Sequence, residues 1–262
     1  MKVRTLGSGS SGNCLLVRTD CGSVLVDAGI TTESLASALA DAGIGVADVR
    51  AIVLTHAHGD HLGCARKLSR RWKRPLYASE EAAAGSALLR RARRLVRYRP
   101  GERFAIDDLA IDPIPLSHDS PGTCALVLEC GGARFAIATD LGRSSPALES
   151  ALRGCDAFLL EFNHDEKLLR DGAYPWRLKR RVLGEEGHLS NTQAAAALAR
   201  SLGPRARTVL LGHLSEKNNR PELARSAARR ALELAGRLDV EIVVAPRGAS
   251  GPELELSGGL RP

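Results

Sequence analysis

Residues Thr55 to His61 read T-H-A-H-G-D-H, and no other stretch constrains this chain so tightly. Three imidazoles and a carboxylate fall in the order H-x-H-x-D-H. They follow Ala51-Ile52-Val53-Leu54, an apolar run that reads as a buried strand. Residues two apart in extended chain point the same way, so His56 and His58 can share one ligand site. Asp60 and His61 are adjacent and suit the turn into a following helix, where they can serve a second ion. Imidazole and carboxylate without thiolate suit zinc, manganese or iron better than a closed structural zinc site. The order of ligands argues against a merely solvated His-rich turn.

With 262 residues the chain can form one large core or two small ones. No linker rich in Gly, Ser or Pro divides it. The expectation is therefore a single domain over 1–262, with 248–262 as a loose tail. No run approaches the roughly 18 apolar residues that span a bilayer, and the opening M-K-V-R-T-L-G-S-G-S lacks an apolar signal core. The six cysteines are scattered without a C-x-x-C pair and read as reduced thiols. A cytoplasmic protein without a membrane partner is expected. Aromatic residues make up 3% of the chain, which excludes base stacking as a main binding mode.

The net charge of +7 is unevenly placed. Between Arg66 and Arg103, 13 Lys and Arg face only Glu80, Glu81 and Glu102, a local balance of +10 that leaves −3 for the rest. A basic face beside a metal site points to an anionic polymer such as nucleic acid. The other reading is a solvated helix in an arginine-rich protein.

In chain order, Gly7 to Asn13 is a glycine-serine loop between strands. It is either a close approach to phosphate or a plain tight turn. Strands follow at about 13–18 and 23–27, and the second closes on Asp27, a buried carboxylate that needs a partner. An imidazole of the His56 cluster is the expected one. Helices are expected at 32–42 with Thr32 as cap, at about 62–71 and over 79–95. A short strand is expected at 75–78, and a proline-broken edge strand at 111–116 leads to His118. A hairpin at 124–129 and 134–139 ends in Asp140, echoing the first half. Helix 146–153 and strand 157–161 lead to Glu161-Phe162-Asn163-His164-Asp165 and then a basic stretch. Ser190 and Gln193 form a capping box for a helix to about 202. Strand 208–211 delivers His213, a helix spans 221–238 and a last strand covers 240–245.

Beyond the central three, His118, His164, His188 and His213 each follow an apolar strand or precede a helix. The H-x-H-x-D-H string is the signature of the metallo-β-lactamase superfamily, which the chain resembles along most of its length. G-S-G-S-S-G-N at 7–13, E-F-N-H-D at 161–165, Y-P…L-K-R-R at 174–181, G-H-L-S-N at 187–191 and H-L-S-x-x-N-N at 213–219 resemble its YycJ/WalJ-type subgroup. The Arg-rich 66–103 segment matches no motif.

That resemblance implies an α/β fold, a four-layer αββα sandwich whose two related halves meet at the metal site. It implies two divalent ions, Zn or Mn, one on His56, His58 and His118 and one on Asp60, His61 and His213. Asp140 would bridge them, and Asp27 would support the ligands from behind. The implied activity is a phosphodiesterase, specifically 5′→3′ exonuclease action on double-stranded DNA by a metal-bridging hydroxide. His188 is the first candidate for protonating the leaving oxygen and His164 the second, with loop bracing as the alternative for both. Ser10, Asn13, Asn163 and Ser190 are expected to hold substrate. Related subgroups process RNA or hydrolyse cyclic phosphates, and a non-catalytic nucleic-acid-binding protein is the remaining alternative.

Overall fold

The computed structural model describes residues 1–258. The first half runs β1 (Lys2–Gly7), β2 (Cys14–Thr19), β3 (Gly22–Val26), α1 (Thr32–Asp41), β4 (Val49–Val53), α2 (Gly59–Leu62), α3 (Ala65–Trp72), β5 (Leu76–Ser79), α4 (Glu80–Gly85), α5 (Ala87–Arg90) and β6 (Leu95–Tyr98). The second runs β7 (Phe104–Ile106), β8 (Leu109–Pro115), β9 (Cys124–Cys130), β10 (Ala133–Ala138), α6 (Pro146–Arg153), β11 (Ala157–Glu161), α7 (Glu166–Asp171), α8 (Trp176–Leu183), α9 (Asn191–Ser201), β12 (Thr208–Gly212), α10 (Pro221–Leu234), β13 (Glu241–Val244) and β14 (Glu253–Glu255).

The strands form two seven-stranded sheets, ordered β14-β1-β2-β3-β4-β5-β6 and β13-β12-β11-β10-β9-β8-β7. Each begins with an antiparallel hairpin and continues with parallel strands: β3, β4, β5 and β6 in one, β10, β11, β12 and β13 in the other. Strand alternation separates two apolar surfaces on each sheet. In β3, Val24 and Val26 face Phe135, Ile137 and Leu159 in the core between the sheets. Leu25 instead joins Leu35, Leu39 and Leu68 of α1 and α3 in an outer core. On the far side Phe158 and Leu160 meet Leu148, Leu198 and Leu232 of α6, α9 and α10. The result is helix, sheet, sheet, helix, the expected four-layer sandwich. Parallel strands point their carboxyl ends to one edge, where open α/β sheets place their sites. Among the described residues no helix is long and apolar enough to cross a membrane.

Several local readings need correction. Thr31, not Thr32, caps α1, accepting from Ser34 N at 3.1 Å. The expected helix over 79–95 breaks at Ser86, whose extended backbone starts α5, and ends in β6. The helix expected to reach 238 stops at Leu234, two residues before Gly236 turns to φ 64°. The tail is not loose throughout, because Glu253–Glu255 pairs with Lys2–Arg4. Residues 259–262 of that expected tail lie outside the described residues. The edge-strand reading of β8 is met where it matters. Its β7 pairing stops at Ile111, so Pro113 and Pro115 cost no ladder bond on that side.

Candidate metal centre

His56, His58, Asp60 and His61 lie on the loop and short helix at the carboxyl end of β4. Asp140 follows β10 and His213 follows β12, while His118 sits on the loop between β8 and β9. The fold brings all seven together. His56, His58 and His118 form one trio of potential ligand atoms, and Asp60, His61 and His213 another. Asp140 joins them through a third group with His56 and His61. His61 Nε2 is 3.1 Å from Asp140 Oδ2 and 3.6 Å from Asp60 Oδ2. His213 Nε2 is 3.5 Å from Asp60 Oδ2 and 3.6 Å from Asp140 Oδ1. His118 Nε2 faces His58 Nδ1 at 3.2 Å.

This arrangement fits divalent cations on structural grounds. His56 Nε2 is buried with no hydrogen-bond partner, a costly state for a polar atom unless something else satisfies it. Imidazole nitrogens also converge on one another and on carboxylates. Burial holds the His56 pKa well below the ordinary value. Burial also opposes charge on His61, but Asp140 and Asp27 outweigh it and lift its pKa to about 10. Asp140 is held well below the carboxylate range despite burial, because His213 and His61 face it.

Supporting groups fix these side chains. Asp27 is fully buried; its Oδ1 accepts from Thr55 N and its Oδ2 from Thr55 Oγ1, both at 2.9 Å. Its expected imidazole partner is His61, whose Nδ1 lies 2.8 Å from Oδ2. Asp27, Asp140 and His213 have φ of 59°, 62° and 55°, each just past a strand end. Asp and His tolerate this left-handed region better than most residues. Gly29 backs onto the metal turn so closely that a Cβ there would lie 1.6 Å from Asp60 O.

The glycine-serine loop braces both halves. Asn13 N donates to Asp60 O at 2.8 Å, and Asn13 Nδ2 lies 2.9 Å from His61 Nε2. Ser8 Oγ accepts from His213 N at 2.9 Å. Of the four residues expected to hold substrate, only Ser10 is exposed. Asn13 is committed as described, Asn163 Nδ2 donates to His213 O, and Ser190 caps α9. His164 is fully buried, with neither ring nitrogen hydrogen-bonded.

Two groups carried no role in the sequence reading. Glu161 Oε1 lies 2.8 Å from both His188 Nδ1 and His213 Nδ1. It closes an apolar strand just as Asp27 does, and that shared signal marked it. Asp119 Oδ1 lies 3.5 Å from His118 Nε2 and 3.6 Å from His58 Nε2, and the Arg181 guanidinium grips Asp119 through Nε and Nη2. The Arg-rich segment is placed differently from expectation. Arg70, Lys73, Arg93 and Arg94 line one shallow pocket. Lys73 precedes β5 and Arg93 and Arg94 precede β6, so the pocket sits at the amino ends of strands whose carboxyl ends face the metal turn. Arg99 and Arg103 pair with Glu80, Glu102, Asp112 and Glu129.

Comparison with known proteins decides the family. The model of the metallo-beta-lactamase superfamily matches residues 7–213, which spans the whole ligand set. The chain belongs to the metallo-β-lactamase superfamily. Among curated proteins it is 36% identical over 228 residues to Exodeoxyribonuclease WalJ of Streptococcus pneumoniae serotype 2 (strain D39 / NCTC 7466), covering 85% of each chain. It is 34% identical over 234 residues to Exodeoxyribonuclease YycJ of Bacillus anthracis, covering 88% of this chain and 89% of that one. The metallo-beta-lactamase fold protein YhfI from Bacillus subtilis superposes with a TM-score of 0.74 at 16% identity, covering 96% of this chain and 99% of the other. As a metallo-β-lactamase-fold protein with such relatives, the chain is a metal-dependent hydrolase.

Proposed function

We propose that the protein is a two-metal phosphodiesterase that removes nucleotides 5′→3′ from double-stranded DNA. The observation that carries this reading is the pair of ligand trios joined by Asp140, in a chain similar over most of its length to proteins named exodeoxyribonucleases. His56, His58 and His118 would hold one ion, Asp60, His61 and His213 the other, and Asp140 both; zinc and manganese suit these donors. When bound, such ions supply a nucleophile from water near neutral pH and neutralise charge at the phosphoryl group.

The protein's own residues do the rest. Asp27 fixes the His61 ring through Nδ1, which leaves Nε2 for an ion. Glu161 fixes His188 and His213 together through their Nδ1 atoms. His188 Nδ1 is thereby occupied, which leaves Nε2 to give a proton to the leaving oxygen. Burial opposes charge on His188, but Glu161 raises its pKa above the ordinary value, so the donor form is favoured. The buried His164 drops out as a second acid. The fold acts as a single unit in this reading, because both halves supply ligands.

The test uses purified protein and a DNA duplex labelled at the 5′ end or the 3′ end, with manganese, zinc or chelator, and Asp60→Ala as blank. Immediate release of 5′-labelled mononucleotide, abolished by chelator and by Asp60→Ala, is expected. Hydrolysis of bis(p-nitrophenyl) phosphate without cleavage of the duplex would move the substrate to RNA or a cyclic phosphate.

A further inference from the structure

The helix α8 carries no acid and four cations in eight residues: Trp176-Arg177-Leu178-Lys179-Arg180-Arg181-Val182-Leu183. Val182 is buried, and Leu178 and Lys179 are half-buried. At 100° per residue, Trp176, Arg180, Arg177 and Arg181 occupy one arc of about 140° on the side away from Val182. All four are exposed. Trp176 is 67% exposed, whereas the other tryptophan, Trp72, packs against the outer core. A large aromatic left in water on a cationic face marks a binding surface.

The helix is tied to the metal centre at both ends. At its last turn Arg181 holds Asp119, next to His118. Just before its first turn, Tyr174 lies under Lys217 Nζ at 5.8 Å, on the loop that follows His213. The exposed face therefore borders the mouth of the site between two loops that each supply a candidate ligand. Among the described residues Arg177 and Arg180 make no salt bridge, unlike Arg99 and Arg103 of the Arg-rich segment.

We infer that this exposed face of α8 is the dock for the end of a DNA duplex, a role that rests on the exonuclease reading. Trp176 stacks on the terminal base pair, and Arg177 and Arg180 hold phosphates of the strand that enters the site. Arg181, fixed by Asp119, is the positioning residue at the mouth. An aromatic face accepts any base, as a sequence-tolerant exonuclease requires, and guanidinium groups suit phosphate geometry. One stack at one end is compatible with the scarcity of aromatic residues, because phosphate contacts carry most of the affinity.

The experiment measures binding of a fluorescent blunt duplex with phosphorothioate linkages at both ends, by anisotropy over a range of salt. It compares wild type, Trp176→Ala, Trp176→Phe, the double variant Arg177→Ala/Arg180→Ala, and Arg93→Ala/Arg94→Ala at the opposite end of the sheet. Hydrolysis of bis(p-nitrophenyl) phosphate by each variant serves to normalise for an intact centre. Trp176→Ala is expected to weaken binding roughly tenfold, the effect of losing one base stack, with Phe restoring most of it. The double variant is expected to flatten the log–log salt slope by about two, and Arg93→Ala/Arg94→Ala to bind as wild type. Equal affinities and slopes in wild type, Trp176→Ala and the double variant overturn the proposal. So does unchanged DNA binding with an altered oligomeric state in Trp176→Ala, which would assign the face to a protein partner. Tight wild-type binding without cleavage of an unprotected duplex would instead refute the exonuclease reading and leave the dock standing.

Discussion

His164 shows how one buried side chain links sequence, burial and pH. Its ring has no solvent contact and no hydrogen bond, so its charged form is penalised and its pKa falls from 6.5 to about 4, chiefly through burial. A folded-state pKa below the unfolded value means that the unfolded chain binds the proton first. Stability is then lost as pH falls from about 6.5 to about 4, by roughly 3 kcal/mol. His164→Leu is expected to flatten that part of the stability–pH curve while changing stability little at pH 7, since both unpaired nitrogens leave with the ring. Urea unfolding at pH 7 and pH 5 checks this, and an unchanged slope between them would refute it. At this scale H-x-H-x-D-H compresses four of the seven candidate ligands, and the resemblance, not the strand-end position shared with His164 and His188, singled out His118, Asp140 and His213. The roles of Asn13, Asn163 and His164 were not legible, because a polar residue in a motif looks the same whether it faces solvent or props a neighbour.

Elements were legible where the pattern was long. The apolar runs at 51–54, 157–160 and 209–211 announced strands, and in the structure β4, β11 and β12 are buried and paired in parallel. The Ala-rich run after Ser79 misled, because its helical composition hides the break at Gly85-Ser86 and the β-prone Leu95-Val96 beyond. The helix α8 passed for a basic stretch because only Leu178 and Val182 mark its inner side. The strand β14 was invisible for another reason, since three residues with two glutamates show no pattern until β1 offers them an edge. That strand also brings Leu256, 9% exposed, against the core between the sheets. Ending the chain after Gly251 is expected to cost about 2 kcal/mol, from burial of Leu256, or roughly 4–8 °C in Tm for a chain of this size. It also uncovers β1 as a sheet edge prone to pairing with other chains. Calorimetry of the truncated protein tests the first effect, and a Tm within 1 °C or so of the full chain would refute it.

Across the whole molecule, the four-layer order could be anticipated from the resemblance and from the echo of hairpin, strand and aspartate in both halves. The direction of the charge could not be. Counting arginines along 66–103 gives a total without a position, and the parallel order of β5 and β6 puts several of them far from the site. The same topology makes the centre a joint between halves: His56, His58, Asp60 and His61 come from one sheet, and His118, Asp140 and His213 from the other. Ions held there would link the two, so chelation is expected to lower Tm. Restoring zinc or manganese to about 100 times its Kd returns roughly 2.7 kcal/mol. A Tm that is insensitive to chelator would argue against ions at this joint. Asp27, Asp140 and His213 all sit in the left-handed backbone region, which has a consequence for scanning mutagenesis. Alanine at these three positions removes a polar group and also loses the polar side chain that makes left-handed backbone tolerable, a geometry that otherwise costs about 1–2 kcal/mol. Lost activity would then mix missing chemistry with a displaced strand end. Asparagine, which tolerates that geometry, separates the two.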